Sequence, residues 1–195
     1  MQQIHFPPAS FPLLETVNLR LRELVPSDAD NVLRIFADDE VTRFYDFDTF
    51  TSLGQAADLI IKQATRYEKG EAIRWGITQK ANDIVIGTVG LVISRTSAIG
   101  GLGYDLARPY WRRGIMTEAL RIVISYSFQA VNLNRLQALV MPGNVASMNL
   151  LKKLGFFEEG ILREYAFFKG RYQDLHCFSL LRREFRPETT RGLYV

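Results

Sequence analysis

Cysteine is almost missing from this chain. Cys177 stands alone among 195 residues, so no intramolecular disulfide can form and a reducing compartment suits the protein. Histidine is nearly as scarce: His5 and His176, with one thiol, are too few ligands for a structural zinc, and no metal is expected. A cysteine nucleophile would need His176 as its base. The two adjoin in a predicted strand, where neighbouring side chains point to opposite faces, so a buried thiol is the better reading. Neither charge is in large excess. Lys and Arg number 24 against 21 Asp and Glu, and the net +3 leans mildly toward acidic ligands. There is no Lys/Arg run of the kind that marks direct nucleic-acid binding. The longest apolar run, residues 84–93, contains Gly87, Thr88 and Gly90 and is far too short to span a bilayer. Residues 1–14 carry Pro7, Pro8 and Pro12 and no basic start, unlike a secretion signal. These absences set the expectation of a cytoplasmic protein with no membrane or nucleic-acid partner.

What is present is ordinary in bulk and specific in pattern. Hydrophobic residues make up 47% and charged residues 23%, enough for one domain with a full core and little room for two. The expected division is an extension over 1–16, a single domain over 17–185 and a polar tail over 186–195. Residues 17–24 alternate apolar and charged, as a half-buried strand does. Pro26-Ser27-Asp28 opens a helix reaching about residue 37. An acidic, aromatic loop follows over 38–50, then a helix over 52–68. Strands are expected at 73–78, 84–94 and 99–106, a helix at 115–130, a strand at 135–140, a short helix at 145–154 and a closing hairpin of 161–168 with 174–181. Three strands joined by short turns must be antiparallel, whereas strands joined through a helix are parallel. The expected fold class is therefore α/β (α+β), a mixed sheet with helices on both faces.

The stretch from Gly103 through Trp111-Arg112-Arg113-Gly114 to Leu120 carries the most chemistry. A strand ends, a Pro/aromatic/Arg turn follows, and Met116, Ala119, Leu120 and Val123 recur at helical spacing. The first N–H groups of a helix lack internal partners and gather partial positive charge, and Arg112 and Arg113 add full charges, so this end suits phosphates. It is not a nucleoside-triphosphate loop, since no lysine follows Gly114. Nor is it a dinucleotide fingerprint, since Leu106 stands where a third glycine belongs. A phosphate here would be held rather than transferred, unless the segment is an ordinary basic turn. A second constellation runs from Asn144 to Phe156. Asn144 is a good N-cap and Gly155 a good stop. Ser147 shares a face with Leu151 and Leu154, so its hydroxyl either bonds its own helix backbone or faces a cleft.

With these residues in view the chain resembles the GNAT superfamily of acetyl-coenzyme-A-dependent N-acetyltransferases. It is most similar to the branch containing ribosomal-protein N-terminal alanine acetyltransferases. The likeness spans about 17–185. It rests on Gly103, Tyr104, Leu106 and Tyr110-Trp111 leading to Gly114 and Thr117-Glu118-Ala119; on Asn144, Ser147, Lys153, Gly155-Phe156, Glu159-Gly160 and Leu162-Arg163; and on Gly170, Tyr172 and Asp174. Trp111 and Met116 depart from the superfamily's general phosphate loop but are common in this branch.

The resemblance implies a GNAT-like, mostly antiparallel seven-stranded sheet with a splayed parallel central pair. Acetyl-CoA is the implied cosubstrate, with no metal. Its pyrophosphate would rest on the N–H groups of Arg112, Arg113, Gly114, Ile115, Met116 and Thr117, and its arm along the strand ending at Leu106. A primary amine would attack the thioester directly, with the Leu106 backbone N–H as oxyanion donor. Ser147 would serve the leaving thiolate, and Asn144 would orient the arm. Glu40, Asp105 and Glu164 are candidate bases; branch members place a glutamate where this chain has Ala166. The acceptor, a protein N-terminal amine or a small-molecule amine, would meet the 38–50 loop and the 165–172 hairpin. Glu40, Arg43, Phe44 and Tyr45 would line that site, whose acidic residues suit a cation. The alternative reading is a coenzyme-A-binding sensor without efficient catalysis. A monomer or a homodimer is compatible with either.

Overall fold

Leu19 and Leu21 point inward while Arg20 and Arg22 lie half-buried, and this alternation makes a strand of the segment that follows the N-terminal extension. In the computed structural model, which describes residues 4–186, the elements run in the order β1 (Leu14–Glu15), β2 (Leu19–Glu23), α1 (Ala29–Phe36), α2 (Asp39–Thr42), α3 (Leu53–Glu68), β3 (Ala72–Gln79), β4 (Val85–Ser94), β5 (Ile99–Leu106), α4 (Ile115–Gln129), β6 (Arg135–Val140), α5 (Val145–Lys153), β7 (Phe157–Phe168) and β8 (Arg171–Leu181). Short 3-10 turns at Pro26–Asp28 and Arg108–Tyr110 lead into α1 and toward α4. The expected tail, apart from Arg186, and the first three residues lie outside the described residues.

The fold class is the one expected, a mixed α/β sheet with helices on both faces. Among the described residues it has eight strands rather than seven, in the order β1-β2-β3-β4-β5-β6-β8-β7. The extra strand is β1, which pairs Leu14 with Leu21 and Glu15 with Arg20. Its two residues have no alternation to read. Burial of Leu14 and the 2.9 Å contact of Glu15 with Arg20 recruit it. The short α2 stands inside the segment read as a loop, where Asp38 caps it by accepting the Glu40 N–H at 3.0 Å. No helix among the described residues is long and apolar enough to cross a membrane.

Two apolar layers cover the sheet. Ile73, Trp75 and Ile77 project from one face of β3 toward α4, where Trp75 meets Tyr126 edge-on at 5.6 Å. On the other face α1 and α3 pack Val32, Ile35, Phe36, Ala56 and Ile60 together with Leu24 and Val85. The extension adheres to the first layer, with the Trp75 indole donating to the Pro12 carbonyl at 2.8 Å. Glu118, in the first turn of α4, accepts from the Thr16 hydroxyl and, at 3.1 Å, from the Asn18 backbone. Burial alone would raise the Glu118 carboxyl, but these bonds outweigh it and hold the group below its ordinary value. The front of α4 is thereby tied to the β1–β2 hairpin.

Among the described residues β5 and β6 are the one parallel pair, and they are bonded only at Ile99–Arg135, Gly100–Leu136 and Gly101–Gln137. Both strands continue beyond, to Leu106 and Val140, paired with β4 and β8 on their outer edges but not with each other. The central sheet is therefore split at one end. Gly100 sits where the strands are still joined, and a Cβ there would come within 2.6–2.9 Å of the Leu133, Leu91 and Leu136 side chains. We expect Gly100→Val to destabilise the fold by about 1–3 kcal/mol through overpacking. A lower denaturant midpoint with an unchanged slope would show it.

Candidate functional site

The turn between β5 and α4 is shaped by backbone conformation. Arg112 and Gly114 both have positive φ, 59° and 77°, so the chain doubles back before entering the helix. Gly114 is the N-cap and no side chain caps the helix, which leaves the first-turn N–H groups without an intrahelical acceptor. A Cβ at Gly114 would meet nothing within 4 Å, so the space above the helix end is open. The side chains of Ile115 and Met116 are buried, Thr117 is half-buried, and Arg112 and Arg113 are exposed around the opening. Donors here are main-chain N–H groups backed by the dipole of a 15-residue helix, with two guanidinium groups at the rim. That arrangement fits a diphosphate. Trp111, absent from the general loop pattern, plays a structural part. Its indole N–H donates to the Leu106 carbonyl at 2.6 Å, binding the turn to the strand before it.

Leu106 ends β5 beside the split. Ala107 donates to Ile86 on the β4 side at 2.8 Å. By strand alternation, Tyr104 and Leu106 turn their N–H and C=O groups the other way, toward the edge that β6 has left. A linear amide-bearing chain could pair with that edge. Across the gap, Asn144 caps α5 by accepting the Ser147 N–H at 3.2 Å. The Ser147 hydroxyl does not bond its own helix: it lies 2.7 Å from the Tyr104 hydroxyl. Burial pushes the Tyr104 phenol up to about 12, against a smaller lowering by the serine. Tyr104 carries the family resemblance, but no local pattern gives it a role at the site. The available signal was its position two residues before Leu106, which puts both side chains on one face of β5.

Asp105 faces the opposite way, into a closed network. Its carboxylate, with no exposed surface, accepts from the Thr88 backbone at 3.0 Å, the Thr88 hydroxyl, the Tyr45 hydroxyl at 2.8 Å and Arg74 Nη1 at 3.2 Å. Burial pushes the carboxyl up, while Arg74 and the hydroxyl donors pull it down. Tyr45, expected to line the acceptor site, is held in this network. Its phenol is pushed well above its ordinary value by burial and by the Asp105 charge, and its ring packs edge-on against Phe36 at 5.5 Å.

The neighbouring residues of the 38–50 segment lie at the surface. Glu40 and Arg43 are exposed and 3.8 Å apart. The Arg43 guanidinium lies over the Phe44 ring at 5.3 Å, and Phe44 stands 3.8 Å from where a Gly143 Cβ would be, next to Asn144. Lys169, at the tip of the β7–β8 hairpin, donates to the Thr42 carbonyl at 2.9 Å and to the Arg43 carbonyl at 3.3 Å. The two segments expected to form an acceptor wall thus meet. Glu164 is exposed in the β7 bulge, with φ 48° and its N–H donating to Asp174 at 2.8 Å. Neither Glu40 nor Glu164 is hydrogen-bonded to Ser147 or Tyr104, and among the described residues no carboxylate is hydrogen-bonded to that pair. No group of His, Cys, Asp and Glu that could hold a metal ion occurs among the described residues.

The model of the acetyltransferase (GNAT) domain matches residues 18–157, and the chain belongs to that family and is an acyltransferase. The uncharacterized N-acetyltransferase p20 of Bacillus licheniformis is 40% identical over 173 residues, covering 88% of this chain and 97% of its own. The [ribosomal protein uS5]-alanine N-acetyltransferase of Escherichia coli is 29% identical over 110 residues, 55% of this chain and 57% of its own. In fold, the chain is similar to Mycobacterium smegmatis RimJ in complex with CoA-disulfide. That likeness has a TM-score of 0.78 at 22% identity and covers 89% of this chain and 87% of that one. For the Asp105 network we expect Asp105→Ala to cost about 3–5 kcal/mol in equilibrium unfolding, because it strands Arg74 without its counter-charge.

Proposed function

We propose that the protein transfers the acetyl group of acetyl-CoA to a primary amine by direct attack on the thioester. The observation that carries this reading is the uncapped α4 entrance opening beside the gap between β5 and β6, with Ser147 on the far side of that gap. The N–H groups of residues 112–117, with Arg112 and Arg113, hold the diphosphate, and the free edge of β5 up to Leu106 pairs with the amide-bearing arm. The thioester supplies an activated acyl carbon. The Leu106 N–H polarises its carbonyl, and Ser147 donates to the departing sulfur. Asn144 keeps Ser147 in place by capping α5. An α-amine with an ordinary pKa of about 8 is partly neutral at pH 7 and loses its proton to water on attack. A protein N-terminus is the favoured acceptor, since the E. coli relative is named for an alanine of a ribosomal protein and Tyr165, Phe167 and Tyr172 of the hairpin are exposed.

Thiol release from acetyl-CoA, measured with peptides bearing free N-termini and with small amines, tests the reading. We expect peptide-dependent release. Ser147→Ala should lower kcat by about 10²-fold with acetyl-CoA affinity nearly unchanged. Tight binding with no release for any amine would instead identify a sensor. Replacing Arg112 and Arg113 together by alanine should weaken acetyl-CoA binding about ten-fold at low salt. At 1 M salt, where screening acts within about 3 Å, that difference should largely vanish. An equal loss at both ionic strengths would remove the arginines from the phosphate site.

A further inference from the structure

Ser147 is half-buried in the first turn of α5, and its hydroxyl has one proton to give. If that proton points at Tyr104, none is left for a leaving group. If Tyr104 is the donor, the Ser147 proton is free to turn into the gap. The two oxygens are 2.7 Å apart, and the Ser147 N–H is already committed to Asn144 at 3.2 Å, so the geometry of the serine is fixed from both sides. A phenol is a stronger donor than an aliphatic hydroxyl. Burial holds the Tyr104 phenol at about 12, so it keeps its proton across the neutral range. The pair also joins the arms of the split sheet, with Tyr104 on β5 and Ser147 on the helix following β6.

Building on the acetyl-transfer reading above, we propose that Tyr104 is the positioning residue of the reaction: its hydroxyl donates to Ser147 and thereby aims the Ser147 proton at the leaving sulfur. Tyr104 undergoes no proton transfer itself. The C–S bond breaks with its electron pair going to sulfur, Ser147 donates a hydrogen bond to that thiolate, and the proton shed by the attacking amine goes to water. The same contact holds the two arms of the gap at a set distance, so the arrangement survives between turnovers.

A double-mutant cycle on the full chain tests this, with thiol release as the readout and thermal unfolding run alongside. Tyr104→Phe keeps the ring and removes the hydroxyl. It should lower kcat about ten-fold while the KM for acetyl-CoA moves less than about two-fold. Combined with Ser147→Ala it should add nothing further, because the tyrosine acts only through the serine. Site-specific 3-fluorotyrosine at position 104 retains a donor and should keep near-native kcat at pH 7, even if the phenylalanine variant fails to fold. An active wild type with Tyr104→Phe equally fast, or a Tyr104→Phe defect undiminished on the Ser147→Ala background, would overturn the inference alone. Wild-type protein that releases no thiol with any amine would overturn the acetyl-transfer reading and this inference with it.

Discussion

The parting of β5 from β6 after three paired residues is the constraint on which the rest of the molecule depends. A sheet normally satisfies its strands on both edges, and an unpaired interior edge leaves main-chain groups without partners. Here the edge between Leu102 and Leu106 has no partner strand in the middle of an otherwise continuous sheet, and the Leu106 carbonyl is met instead by the Trp111 indole. Everything chemically interesting collects around it. The α4 entrance opens at the end of one arm, α5 begins at the end of the other, and Tyr104 and Ser147 meet between them.

The two faces of β5 carry different duties, and strand alternation assigns them. Tyr104 and Leu106 look toward the gap and the α4 layer, whereas Asp105 looks toward α1, α3 and the 38–50 segment. Asp105 is surrounded by donors from Thr88, Tyr45 and Arg74, so it anchors a wall. Three consecutive residues thus meet a serine across the gap, a buried polar network and the turn before α4. Such density follows from the period of two in a strand, which lets neighbours belong to separate environments.

Much of this was legible in the chain itself. The bounds of β5 and β6 agree with the expected ones, and Pro109 and Pro142 follow shortly after the two strand ends. The start of α4 at Ile115 was readable from Gly114 and the helical spacing that follows. Other features depend on partners distant in sequence. Two-residue β1 exists because Leu14 finds the core and Glu15 finds Arg20. Tyr104 meets Ser147 across 43 positions and Tyr45 meets Asp105 across 60, so no local pattern announces either contact. β7 begins at Phe157, earlier than its alternation suggests, because bulges near Gly160 and Glu164 break the period while pairing with β8 continues. Tyr45 was expected to line the acceptor site for the same reason: the carboxylate that claims it lies on another element.

The link from Thr16 and Asn18 to Glu118 has a mechanical meaning. The helix whose uncapped entrance opens beside the gap is braced from outside the central sheet by the short β1–β2 hairpin. A strut of this kind transmits force. Tension or displacement applied near residue 16, by a fused domain or a bound neighbour, would be felt one helical turn from Gly114, where the main-chain donors converge.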